Sequence, residues 1–192
     1  MALMVRAGLG LNPWDVFHQG LSERTSLSLG TIVIIVGAAV LLFWIPLRQR
    51  PGIGTISNVF MIGIAADVSL WLVPPASSLA LGWAMLLLGI FLNGVAGGAY
   101  IGAGLGPGPR DGLMTGLVGR TGGSVRIVRT GIELVVVAAG WMLGGTLGLG
   151  TLLYAVGIGP IVHRMLPIFT IPDEAKPGGS PIICSEPCPQ LR

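Results

Sequence analysis

Ala7-Gly-Leu-Gly10-Leu-Asn-Pro13-Trp-Asp15, near the start of the chain, returns 96 residues later as Ala103-Gly-Leu-Gly106-Pro-Gly-Pro109-Arg-Asp111. The same offset aligns Gly20 with Gly116, Leu21 with Leu117, Arg24 with Arg120, Thr25 with Thr121 and Ser28 with Ser124. It persists to Gly52-Ile-Gly54-Thr55 against Gly148-Leu-Gly150-Thr151, and to Gly63 against Gly159. Residues 7–63 and 103–159 share about 18 identities without a gap, where this composition gives roughly five by chance. The pattern is an internal duplication, and the fold is read from it.

What surrounds the two copies belongs in a bilayer. Apolar residues make up 52% of the chain, charged residues 10%, and 32 of 192 positions are glycine, far from the balance of a soluble domain. A membrane-crossing helix needs about 20 apolar residues. Five runs approach that length: about Leu27 to Leu47, Ile53 to Val73, Leu79 to Ile101, Ile127 to Leu143 and Leu149 to Phe169. Pro46 and Arg48-Gln-Arg50-Pro51 stop the first, and Pro74-Pro75 stops the second because a proline lacks the amide hydrogen that would continue a helix. The net charge of +3 comes from ten arginines and one lysine scattered at the ends of apolar runs, a distribution that excludes a nucleic-acid stripe.

The expected fold is all-α, a polytopic membrane helix bundle of two inverted three-span repeats offset by 96 residues. Repeat 1 covers 1–74, repeat 2 covers 75–171, and 172–192 reads as a disordered polar tail carrying Cys184 and Cys188. In repeat 2 a full span, Leu79 to Ile101, precedes the AGLG stretch, whereas six residues precede it in repeat 1. The first span is therefore expected to be missing from this chain, leaving five, with about 15 to 25 apolar residues encoded upstream. An odd number of spans per repeat turns the second copy over. With Arg48 and Arg50 inside, Arg110, Arg120, Arg126, Arg164 and Lys176 fall on the same side, as the positive-inside rule favours, and the C-terminus is cytoplasmic.

In each AGLG-x-x-P-x-D copy the glycines permit a tight turn, the proline suits the first helical turn, and the aspartate faces the positive end of the helix dipole. The helices that follow, about Pro13 to Glu23 and Pro109 to Gly119, are too short to cross. Matched broken segments in inverted repeats point to a transporter's binding site, so Gly10, Pro13, Asp15, Gly106, Pro109 and Asp111 are the candidate substrate-binding residues. The competing reading makes each aspartate a structural cap on an interfacial amphipathic helix, with Trp14 and Phe17 toward headgroups. Asp67, Asn93 and Glu133 lie in or near the ends of apolar runs, where charge needs a partner or a cavity; Arg129, one turn before Glu133, is placed to pair with it, and the offset sets Asp67 against His163. Asp67, Arg129, Glu133 and His163 are the candidate coupling or ion-pair residues. No catalytic set, metal-ligand cluster or cofactor loop is legible, so an enzyme, a cofactor and a metal are not expected.

The stretches GLGLNPWDVFHQGLS (8–22), IPLRQRPGIGTISN (45–58) and AGLGPGPRDGL (103–113) resemble the YczE/YyaS/YitT group of bacterial multi-pass membrane proteins, nearest the YczE-type branch. The resemblance runs from about Met4 to Phe169; the absent first span and the cysteine-bearing tail depart from it. It implies an integral protein of the bacterial cytoplasmic membrane with an uncharacterised activity, and it transfers no catalytic residue. The expected function is transporter-like or permease-like, with a site between the two AGLG segments, the lipid bilayer as partner and a small-molecule substrate. A non-transporting scaffold or accessory protein is the alternative.

Overall fold

A computed structural model describes residues 1–47, 49, 51–103 and 108–169. Gly106, Arg48, Arg50 and the 172–192 tail, all of which figure in the expectations above, lie outside the described residues. The described chain is helical throughout: α1 (Ala2–Ala7), α2 (Pro13–Thr25), α3 (Leu29–Trp44), α4 (Ile53–Leu72), α5 (Leu79–Ala103), α6 (Pro109–Thr121), α7 (Val125–Met142) and α8 (Leu149–Phe169).

Local chemistry sets the boundaries. Pro13 and Pro109 begin α2 and α6 at the position where a missing N–H costs nothing. Asn12 caps α2, its Oδ1 accepting from the Asp15 amide at 2.9 Å, and Ser28 caps α3 by accepting from the Thr31 amide at 3.2 Å. Ser26 and Gly122 end α2 and α6 in the left-handed conformation, 96 residues apart. Between α2 and α3 the chain bends by 114°.

Three helices are long and apolar enough to cross a bilayer, namely α4, α8 and the stretch Leu79–Gly102 of α5, or four if the bent α2–α3 pair is one span. The expected five is not reached, for two physical reasons. Helix α3 has 16 residues, about 24 Å at the usual rise per residue. Helix α7 has 18 and carries Arg126, Arg129 and Glu133.

The contacts that assemble the bundle recur in exchanged form between the two halves. Helix α2 packs on α7 and α6 on α3; α5 packs on α8 and α1 on α4. Single residues follow suit. A Cβ on Gly20 would meet Leu143 and Gly145, and one on Gly116 would meet Leu47 and Gln49, which are the 96-residue counterparts of that pair. Gly140 lies against Val16 and Phe17, while its counterpart Trp44 lies against Gly112, the counterpart of Val16, so a small residue meets a larger one in both places with the sizes swapped. Arg24 donates to the Leu143 carbonyl at 3.2 Å and Arg120 to the Pro46 carbonyl at 3.3 Å, each guanidinium sitting at the negative C-terminal end of a helix in the other half.

One contact is not exchanged. Gly30 and Gly63 let α3 and α4 touch backbone to backbone, since a Cβ on either would meet the carbonyl oxygen of the other. Asp67 clamps this seam, accepting from the Gly30 amide at 2.7 Å and the Ser28 hydroxyl at 2.6 Å. No such packing joins α7 and α8, where Arg126 stands in Gly30's register and a Cβ on Gly159 would meet nothing within 4 Å.

Candidate functional site

The first AGLG turn is built against the second half of the chain. Gly10 has φ +126°, a conformation closed to residues with a side chain, and a Cβ there would lie 2.8 Å from the Thr151 amide nitrogen. Around it the Gly150 amide donates to the Leu9 carbonyl at 2.8 Å and the Leu11 amide donates to Thr151 Oγ1 at 3.2 Å. The two glycine motifs of the sequence therefore meet each other, and their contact aims the N-terminus of α2 at the centre of the bundle.

Asn12, Asp15 and His18 lie there with 5%, 1% and 2% of their surface exposed. Asn12 holds the aspartate twice: its Oδ1 accepts from the Asp15 backbone amide, and its Nδ2 donates to Asp15 Oδ2 at 2.6 Å. The other carboxylate oxygen, Oδ1, faces His18 Nδ1 at 3.6 Å and Arg110 Nη2 at 3.9 Å. His18 Nδ1 is buried without a hydrogen-bond partner. The Arg110 guanidinium comes from the first turn of α6 and lies over the Trp14 ring, 4.9 Å from its centroid. Trp14 and Arg110 occupy the same position of the duplicated stretch, so the two copies of the motif touch at one register. Nearby, Asn93 of α5 donates to the Tyr154 hydroxyl of α8 at 3.1 Å, and Tyr154 is close enough to sense the charges of Asp15 and Arg110.

The matched aspartates have diverged. Asp15 is buried, whereas Asp111 is exposed at the start of α6 and senses Arg129 and Arg110. Asn12 corresponds to Gly108, which has no side chain to cap the helix or hold a carboxylate. Of the other candidates, Pro13 and Pro109 start the two helices, and the Pro109 carbonyl accepts from Trp44 Nε1 at 3.0 Å. Arg129 Nε and Glu133 Oε1 form a 3.1 Å ion pair one turn apart on an exposed flank of α7. Asp67 is engaged with the start of α3, away from the centre, while His163 is exposed on α8. Equal register does not give this pair equal surroundings. His18, Trp14 and Arg110 are not among the candidate site residues read from the sequence, where Trp14 figures as a headgroup-facing residue and Arg110 in the topology; the signal for His18 is its place one turn after Asp15.

Residues 1–167 match the model of a protein family described as a family of unknown function, DUF6198. The chain belongs to this family. It is 39% identical over 160 residues to the uncharacterised membrane protein YczE of Bacillus subtilis, covering 83% of this chain and 74% of the relative. An uncharacterised protein of Haemophilus influenzae is 38% identical over 166 residues, covering 86% and 76% of the two chains. The uncharacterised protein YyaS of Bacillus subtilis is 24% identical over 172 residues, covering 88% and 86%. No solved structure matches the chain. The YczE-like affinity seen in the motifs is thereby established, and with it a membrane protein whose apolar helices suit a multi-pass arrangement.

Between α6 and α7 the site continues into an open apolar cleft of about 520 Å³, lined by Trp14, Leu113, Leu117, Val128, Ile132 and Val136 among others. Trp14 thus has two neighbours of opposite character, a guanidinium and a hydrocarbon-walled space. An acid, an imidazole and a guanidinium packed at the junction of two helix N-termini can bind a charged group or exchange a proton, and the adjoining cleft can take an apolar one.

Proposed function

We propose that the chain is a permease-like protein of the bacterial cytoplasmic membrane, with its binding site where the N-termini of α2 and α6 meet. One observation carries the reading: Asp15, His18 and Arg110, drawn from both copies of the motif, form a charged centre inside a bundle of apolar helices. Burying such groups costs several kcal/mol in an apolar medium, a cost expected where a pathway needs them. Equal helix starts at the 96-residue offset, Pro13 with Pro109, Leu29 with Val125 and Ile53 with Leu149, and the matching contacts of Arg24 and Arg120 and of Gly20 and Gly116, support two repeats related by a two-fold axis. The charge distribution supports an axis in the membrane plane with the C-terminus inside. The parted α7–α8 face, set against the zipped α3–α4 face, supports a site that opens toward one side at a time. The scaffold alternative accounts for the glycine-mediated packing of α5 on α8 but gives the charged centre no work.

The experiment is flux. Purified protein in liposomes should pass an ion or solute current that Asp15→Asn and Arg110→Ala each reduce by about tenfold or more; wild-type vesicles indistinguishable from empty ones across charged solute classes would favour the scaffold. Reporter fusions after Arg50, Ser78 and Arg192 should read inside, outside and inside, and an outside C-terminus would undo the inverted arrangement.

A further inference from the structure

We infer that the site's ligand is an amphiphilic organic cation, its guanidinium or ammonium head between the Asp15 carboxylate and the Trp14 ring and its apolar body in the α6–α7 cleft. The inference rests on the permease-like reading of this site and names its substrate class.

Three observations converge on it. The carboxylate is under-bonded on one side: Oδ2 is held by Asn12 at 2.6 Å, but Oδ1 has His18 Nδ1 at 3.6 Å and Arg110 Nη2 at 3.9 Å, beyond hydrogen-bond length. A buried carboxylate oxygen left in that state favours any donor that can approach to normal distance. His18 Nδ1, buried and without a hydrogen bond, flanks the same oxygen. The aromatic wall is already in use by a cation, because the Arg110 guanidinium lies over Trp14 at 4.9 Å while 38% of its side chain remains exposed. Arg110 is thus a tethered occupant, held by the carboxylate at 3.9 Å and carried on a flexible stem. Trp14 also lines a cleft of about 520 Å³, a volume within the usual range for small-molecule sites.

The charges select a cation over an anion. An anion drawn to Arg110 would sit beside Asp15 and against the negative face of an indole, and both repel it. A cation replacing Arg110 can bring a donor to normal distance from the carboxylate and still cover the ring, and its apolar tail gains the hydrocarbon lining that Leu113, Leu117, Val128 and Val136 offer.

The test is equilibrium binding by the full chain in detergent, with hexylguanidinium as the probe and hexanol and hexanoate as equal-length controls, read by thermal unfolding and tryptophan fluorescence. Wild type should gain about 3 °C or more in Tm at saturating probe. Arg110→Ala, with the tethered competitor gone, should bind about tenfold more tightly. Asp15→Asn should lose the response, and Asp15→Asn/Arg110→Ala, which removes both charges together, serves the same purpose if the single variant does not fold. Either control matching hexylguanidinium, an Asp15 variant responding like wild type, or silence from both wild type and Arg110→Ala would overturn the inference. Binding without flux would sink the permease reading and leave the cation site standing; flux of another solute by a protein that ignores the probe would do the reverse.

Discussion

Removing the Asp67 carboxylate should unzip the seam between α3 and α4, and the size of the effect follows from two bonds. Asp67 accepts from the Gly30 amide at 2.7 Å and from the Ser28 hydroxyl at 2.6 Å, and its charge lies at the positive end of α3. Bonds to a charged acceptor contribute about 1.5 kcal/mol or more each, and the helix-terminus interaction adds about 0.5 kcal/mol. Asp67→Ala is therefore expected to cost about 3.5 kcal/mol. Asp67→Asn retains an acceptor for the Gly30 amide and a donor that the Ser28 hydroxyl can accept, so it forfeits mainly the charge, about 1 kcal/mol. Reversible denaturation of the purified protein in mixed micelles, followed by circular dichroism, measures both. Ser28→Ala combined with Asp67→Ala should add less than the sum of the singles, since the two share one bond. Equal losses for the Ala and Asn variants, or strict additivity with Ser28→Ala, would refute the clamp.

Gly10→Ala places a Cβ 2.8 Å from the Thr151 amide nitrogen at φ +126°, and should destabilise by about 2 kcal/mol or more in the same denaturation assay. Gly30→Ala should cost about 2 kcal/mol or more because its Cβ meets the Gly63 carbonyl, while Gly159→Ala, with open space at its Cβ, should stay within about 0.5 kcal/mol of wild type. Equal effects of the two would contradict the difference between the zipped and parted faces. Trp44→Phe keeps most of the packing on Gly112 but removes the 3.0 Å bond to the Pro109 carbonyl, and its expected cost is about 1 to 2 kcal/mol by thermal unfolding.

Much of the chain's plan could be read from residues alone, because the signals were local. Pro13 and Pro109, Ser28 and the Pro74-Pro75 stop each act within one turn, and the helices begin and end where these residues dictate. The breaks before α2 and α6 were legible for the same reason. What could not be read depended on which residues meet across 96 positions. Asp15 and Asp111 look equivalent until Asn12 and Gly108 are compared as partners rather than as neighbours. Asp67 and His163 share a register, but the seam that engages Asp67 needs Gly30, and its counterpart is Arg126. The charges of α7 lowered its count as a span; their arrangement on one exposed flank emerges only in three dimensions.

The stacking of Arg110 on Trp14 carries a historical consequence. These two residues hold one position of a duplicated unit, and they touch. If the ancestral unit assembled as a symmetric pair, each such residue faced its own image, and an arginine there would have met an arginine across the axis. Joining two copies in one gene lifts that restriction, because each can then mutate alone. A cation resting on an indole is a pairing that a homodimer cannot make at its own axis, and a fused chain can. On that history, fusion would give this centre a handedness of charge, acid and ring from one copy and guanidinium from the other, that two identical subunits could not acquire.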